Sequence, residues 1–335
     1  MELNTSTLSD FVKLANVIFL KALASLGQEA KNSGIFMIEP FAQNTGNTRE
    51  YTSIDLEQFA SYKGEGNQAE RAKVQQGDSK TLTIYRIAKD IGITYEMRTQ
   101  NKYTDVVRRL TNLATLAINR MELDLTHRLT FGTATSYTDM DGRTIDLKVA
   151  DGFQLFYTAH TVNGASTTYR NRLANNPALS KGALEGMEKL VVEETIDEFG
   201  VKMVMPFDIL WTSDDPNTVN TALEYLRSVA APDFSNSGVT NVYKGKYKHV
   251  ILPRLATTAD GAVDSTKAKY WGLASSTMSS AYLAISEPAH LKNPSDLNAG
   301  EEFSTDDWNF GVRAGYGICI VDGKWIKMSS GDGQA

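Results

Sequence analysis

The chain has 335 residues, 41% of them hydrophobic and 22% charged, which excludes a disordered, collagenous or low-complexity polypeptide. Its 34 basic and 40 acidic residues leave a net charge of −6, which argues against a protein built to grip nucleic acid over a broad surface. A single cysteine, Cys319, excludes an intramolecular disulfide framework and reads as a small core residue.

Near the N-terminus, Phe11, Leu14, Ala15, Ile18 and Ala22 recur at three- and four-residue steps and predict an amphipathic helix. Lys13, Asn16 and Lys21 break the apolar run too often for a membrane span. Glu2 and Asp10 stand where a signal peptide carries positive charge, so a cytosolic product is expected. A polar connector, residues 34–50, follows around the short apolar run Ile35 to Ile38.

Tyr51 to Tyr62, with Ile54 and Leu56 alternating with polar neighbours, predicts a half-buried strand, and Thr81 to Met97 predicts a second extended segment. Between them, Lys63 to Lys80 carries three glycines and almost nothing apolar, so it reads as a solvent-facing loop or one covered by another chain. Tyr103 to Phe131 is the clearest helix. Val106, Leu110, Leu113, Ala117 and Met121 form its stripe, Ala114, Ile118, Leu125 and Leu129 lie beside it, and Gly132 stops it.

After the turn signal Asp141-Gly142, a second helix is expected from an N-cap at Ser180 to about Phe199, with Gly200 as its stop. Val201 to Trp211 predicts a buried strand broken at Pro206, and Asp215-Pro216 caps a third helix whose Val219, Ala222, Leu223 and Leu226 face inward. Short strands follow at Lys248–Leu252, Trp271–Leu273 and Ala281–Ser286, then an acidic connector from Glu301 to Asp307. Arg313–Val321 and Lys324–Met328 predict a closing hairpin about Asp322-Gly323. The fold class is therefore α+β.

The four histidines, His127, His160, His249 and His290, have no second ligand at metal spacing, and each reads as a surface or hydrogen-bonded core residue. There is no nucleophile elbow and no phosphate loop. Gly315-Tyr316-Gly317 opens no helix and reads as a strand feature; Asp139-Met140-Asp141-Gly142 imitates a calcium loop whose first and last ligand positions, Tyr137 and Lys148, fail it. The pair Asp214-Asp215 is explained as a helix cap, Asp306-Asp307 as a solvated turn, and the basic run Lys244 to His249 as a solvated hairpin. No catalytic, cofactor-binding or metal-binding residue is predicted.

A folded chain without chemistry, carrying an arm and a long polar excursion, points to an assembly protein. Candidate contacts between subunits are Phe11, Leu14 and Ile18 of the arm, with Lys63, Glu65, Glu70, Arg71, Lys73, Asp78 and Lys80 of the excursion.

The order of parts resembles phage major capsid proteins of the Hong Kong 97 type. Asp151-Gly152-Phe153-Gln154-Leu155-Phe156, with His160 after it, resembles a segment of Mu-like major head subunits. So do Asn175 to Ser180 and the run Met205-Pro206-Phe207-Asp208-Ile209-Leu210. The local likeness covers about residues 152–228.

The resemblance implies an HK-97-like capsid fold with an N-terminal arm and connector (1–50), an extended hairpin loop (51–97), and a peripheral domain (98–179 and 301–335) with a spine helix at 103–131. An axial domain occupies 180–300. It further implies hexamers and pentamers closing an icosahedral shell around double-stranded DNA, assembled in a host bacterial cytoplasm as part of a virion. Separate scaffold, portal and decoration proteins would be partners; no membrane is. The alternatives are an encapsulin-like nanocompartment shell, a hydrolase with a scattered site and a β-rich surface-binding module.

Overall fold

The computed structural model describes residues 8–42, 46–100, 102–162, 167–230, 240–293 and 307–333, and it is α+β. The start of the arm (1–7) and most of the expected acidic connector (301–306) lie outside the described residues. In chain order the elements are helix α1 (Leu8–Ser25), strands β1 (Met37–Pro40), β2 (Thr48–Leu56), β3 (Val74–Thr83) and β4 (Tyr85–Ile93), and helices α2 (Tyr95–Thr99) and α3 (Tyr103–Thr130). Then come β5 (Ser136–Thr138), β6 (Thr144–Asp146), β7 (His160–Thr161), β8 (Thr168–Tyr169), α4 (Lys181–Glu193), β9 (Ile209–Thr212) and α5 (Pro216–Arg227). The chain closes with β10 (Lys248–Ile251), β11 (Trp271–Ala274), β12 (Ala281–Lys292), β13 (Trp308–Ile320) and β14 (Ile326–Ser329).

α3 runs unbroken because no glycine or proline interrupts it, and Asp105 in its first turn with His127 and Arg128 in its last suit the helix dipole. Its predicted stripe is buried throughout. The first half, through Val106, Leu110, Leu113 and Ala117, packs with Phe11, Ala15 and Phe19 of α1 onto a sheet. The second half, through Ile118, Met121, Leu125 and Leu129, enters another core with Trp211, Trp325 and Met328. One helix thus ties two cores together. Gly132 follows it for a packing reason: a Cβ there would come within 2.6 Å of the Phe156 ring.

The sheet beneath α1 and α3 has the order β1-β12-β13-β4, with β1 parallel to β12 and the other pairs antiparallel. Ile93, Leu291, Trp308, Phe310 and Val312 form its helix-facing side. A second sheet, β10-β9-β11-β14, packs against α4 and α5 through Leu184, Met187, Leu190, Leu210, Ala222 and Trp271. The caps are as expected: Ser180 Oγ accepts from Ala183 N, and Asp215 accepts from Thr218 N with Pro216 beside it.

Four sequence expectations are corrected. α4 stops at Glu193 rather than near Phe199, because the Asp197 carboxylate accepts from the backbone of Phe199 and Val201 and folds 197–200 into a turn, with Gly200 at φ 75°. The strand expected over Val201–Trp211 is confined to β9. The closing hairpin does not form: β13 pairs with β12 and β4, whereas β14 pairs with β11 in the other sheet. Gly323 lacks the positive φ a type I′ turn needs, and Trp325 is drawn into the core with its Nε1 donating to the Asp322 carbonyl. Lastly, Val74 to Lys80 belongs to a strand, so the true loop of the excursion is residues 57–73.

Candidate interaction surface: the extended hairpin and the arm

β2 and β3 pair antiparallel from Thr48↔Thr83 out to Leu56↔Val74 and form a sheet of their own. Their base is held by packing. Leu82 and Ile84 are buried with Tyr51, Phe41, Ala284, Cys319 and Val321. Tyr51 stacks on Tyr282 at 4.2 Å and donates to Glu39 at 2.8 Å. The crossing is possible because Gly317 has no side chain: a Cβ there would lie 2.6 Å from the Thr83 carbonyl oxygen. The Gly315-Tyr316-Gly317 run is therefore the strand feature expected of it.

Further out, the hairpin is pinned by a buried polar knot. Ser53 Oγ donates to Glu198 at 3.1 Å, Glu198 N donates to Asp55 at 2.9 Å, and Gln58 Nε2 donates to Asp197 at 2.7 Å. Lys324 Nζ pairs with Glu198 at 2.6 Å and stands 3.8 Å from Asp55. Burial opposes the charge on Lys324, but the carboxylates of Asp322, Glu198 and Asp55 outweigh it and raise its pKa. β3 passes this knot at Gly77, where a Cβ would meet the Glu198 carboxyl at 2.8 Å, and the register shifts there by one residue. The cavity beside it, lined by Asp78, Asp151 and Lys324 among others, has about 20 Å³, room for a single water and nothing the size of a substrate.

The alternation of β2 is inverted relative to expectation. The residues that face the chain's own body are Tyr51, Ser53 and Asp55, whereas Ile54 and Leu56 are 63% and 58% exposed. Val74, opposite Leu56, is 65% exposed, and Phe59 in the loop is 72% exposed. Tyr62 is fully exposed as well. An outward apolar face and two bare aromatic rings thus project at one end of the hairpin. Sequence reasoning named the charged residues of this segment and missed these apolar ones; Phe59 and Tyr62, the two aromatics in the polar stretch 57–73, were the available signal.

Of the predicted contact residues, Lys63, Glu65, Glu70, Arg71 and Lys73 are exposed in the 57–73 loop. Glu70 accepts from Ser61 Oγ at 2.7 Å. Asp78 and Lys80 lie on β3, and Lys80 Nζ reaches Asp146 at 3.2 Å and the Lys148 carbonyl. Phe11 sits in the chain's own core, 4.8 Å from the Trp308 ring and 5.7 Å from Phe310, so its contacts are intramolecular. Leu14 and Ile18 are half-buried, whereas Val17 and Leu20 of α1 are exposed. Behind α1, Glu122 of α3 accepts from the backbone of Ala30 at 2.7 Å and Lys31 at 3.1 Å, which fixes the connector.

The segment from Asp151 to His160 closes on itself. His160 Nδ1 lies 2.7 Å from Asp151 Oδ2 and its Nε2 lies 3.1 Å from the Leu155 carbonyl, which also accepts from Asn171. Phe156 is buried against Trp211, and Phe153 stacks on Tyr157. His127 is buried beside Thr257, its pKa driven down to about 4 by burial and by neighbouring cations, Lys267 first. Among the described residues no group of three or more His, Cys, Asp or Glu side chains could hold a metal, and no helix is long and apolar enough to cross a membrane.

No family model matches the chain, and no curated protein does. Among solved structures the chain is similar to a virus-like particle from Pyrococcus furiosus, at 12% identity over 95% of this chain and 98% of that one, with a TM-score of 0.48. It is similar also to a structure from Microbacterium phage Oxtober96, at 10% identity over 91% of both chains and a TM-score of 0.48. A third is the procapsid of bacteriophage JBD30, at 12% identity over 97% of this chain and 75% of that one, with a TM-score of 0.46.

Proposed function

We propose that the chain is a shell-forming subunit, a major capsid protein of the Hong Kong 97 type that assembles with copies of itself around double-stranded DNA. The observation that carries this is the inverted hairpin: polar residues hold it to its own body, while Ile54, Leu56, Val74, Phe59 and Tyr62 are left bare. A chain that works alone gains nothing from such a face, whereas a chain that meets its copies buries it. The segments at Asp151–His160 and Met205–Leu210 that resemble Mu-like head subunits support the same reading.

On this reading α1 and the residues up to 36 are the arm and connector, β2 and β3 (48–83) the extended loop, and α3 the spine of a peripheral domain that includes β1, β4, β12 and β13. The bounds 1–50, 51–97 and 301–335 expected from the sequence are redrawn because β1 and β4 pair into the sheet beneath α3 and β14 pairs into the other one. α4, α5 and the sheet β10-β9-β11-β14 are the axial domain around which hexamers and pentamers form, so the expected range 180–300 loses β12 to the first sheet and gains β14. Lys63, Glu65, Glu70, Arg71, Lys73, Asp78 and Lys80, with Leu14 and Ile18 of the arm, contribute to contacts between subunits. Scaffold, portal and decoration proteins are separate chains, and assembly takes place in the bacterial cytoplasm. Sedimentation velocity tests the reading: the purified chain should form particles of megadalton size, alone or with a co-expressed scaffold. A chain that sediments as a monomer under both conditions contradicts it.

A further inference from the structure

Beyond its base, the hairpin hangs from a finger of chain, residues 194–203, that belongs to neither four-stranded sheet. The finger leaves α4 at Glu194, pairs Thr195 with Met203 and Ile196 with Lys202, and turns at 197–200. Two buried lysines clasp it. At its tip, Lys324 pairs with Glu198, whose carboxylate and backbone N–H also bind Ser53 and Asp55 of β2. At its root, Lys327 Nζ donates to the Glu194 and Arg170 carbonyls, and among the described residues it has no ion pair. Around Lys327 stand the Glu194 carboxylate, which pairs with Arg170 Nε at 3.2 Å, and the Tyr169 ring of β8, 5.5 Å away. Asp322 and Lys324 precede it on the chain, and Leu273 of β11 lies across the register. Arg172, beside β14, bonds to Asn176 instead. Thr195 Oγ1 is buried in the root with no hydrogen-bond partner among the described residues, so the root is the less satisfied end.

We propose that residues 194–203 are a proton-operated latch on the hairpin: with Lys327 as the neutral amine the root stays closed, and a proton taken up by Lys327 opens the root to water and leaves the outer hairpin held by the Lys324 ion pairs alone. The geometry sets the direction. A fully buried ammonium facing two neutral carbonyls is better solvated outside the protein than in it, so the charged form favours the open root. Burial, with Lys324 adding to it and Glu194 and Asp322 opposing it, lowers the Lys327 pKa from 10.5 to about 7. Between those values the closed root binds fewer protons than the open one, so opening grows as pH falls towards 7 and levels off below it. The tip behaves differently: its carboxylates raise the pKa of Lys324, which keeps its charge over that range. The latch is a property of one chain and does not depend on the self-assembly reading; on that reading it sets when the hairpin is loosened.

Amide hydrogen exchange in the purified, unassembled chain tests this, with rates corrected for the intrinsic effect of pH. The N–H groups of Glu198, Val201 and Met203 report the finger, and that of Leu113 in α3 reports global unfolding. In the wild type, opening of the finger should rise about tenfold for each unit that pH falls from about 9 to about 7, then level off, with Leu113 better protected throughout. Lys327→Met keeps the buried stem and removes the titrating group, so its finger should stay closed with no such slope. Glu198→Gln weakens the tip and should raise opening at every pH while the slope remains. Finger amides that exchange only together with Leu113, or a slope that persists in Lys327→Met, overturn the latch.

Discussion

Lys327 is fully buried in β14, its ammonium donating to the carbonyls of Arg170 and Glu194, both at 3.3 Å. Burial drives its pKa from an ordinary 10.5 down to about 7, with Glu194 and Asp322 opposing the fall. Between those two values the unfolded chain binds more protons than the folded one, so this group's contribution to stability improves as pH rises from 7 to 10.5 and is worst below 7. Lys327→Met should therefore stabilise the chain by about a few kcal/mol at pH 6, and the gain should shrink by pH 10 in urea unfolding. A gain independent of pH contradicts the burial account.

Gly317 acts through space rather than charge. Gly317→Ala puts a methyl group against the Thr83 carbonyl and should cost about 1–3 kcal/mol, and it should loosen the hairpin base to proteolysis. Unchanged stability and unchanged cleavage would show that the crossing is looser than described. Cys319 and the Ser180 and Asp215 caps were legible because their chemistry is local. The Asp55–Glu198–Lys324 knot was not, since it joins three segments far apart in sequence.

At the scale of elements, α3 is the part read most fully, because a stripe repeated over 28 residues leaves one face to bury. Leu113→Asp would place an unpaired charge at a fully buried position between α1 and the first sheet. That costs several kcal/mol, a large share of about 5–15 kcal/mol of total stability, and should give insoluble protein; soluble, cooperatively unfolding Leu113→Asp contradicts the packing. The hairpin behaves oppositely. Replacing residues 58–72 by a short Asn-Gly turn removes exposed side chains, the Ser61–Glu70 bond within the loop and the Gln58–Asp197 bond that ties it to the body. The melting temperature should stay within a few degrees while assembly is lost, and particles of wild-type size from this variant contradict the loop's role. Alternation in β2 identified two faces but could not say which one meets the chain's own body, because Ser53 and Asp55 find partners only through the turn at 197–200. Likewise, an Asp-Gly pair marks a change of direction without revealing that β14 turns into a different sheet.

For the whole molecule, the composition described a folded acidic chain, and the absence of recognisable chemistry pointed to assembly before any contact was known. Sheet order was not legible, since β12, β13 and β4 are joined by long connections and pair through registers set only in the folded core. What the assembled fold adds is a division of labour: two cores linked by α3 hold the subunit together, and the hairpin, anchored at its base, carries an apolar surface away from them. Electron microscopy of the purified chain, at high concentration and with any scaffold encoded beside it, tests this most directly. Closed shells with five-fold and six-fold capsomers are predicted. Monodisperse single subunits under every condition, with the hairpin face still bare, would contradict it.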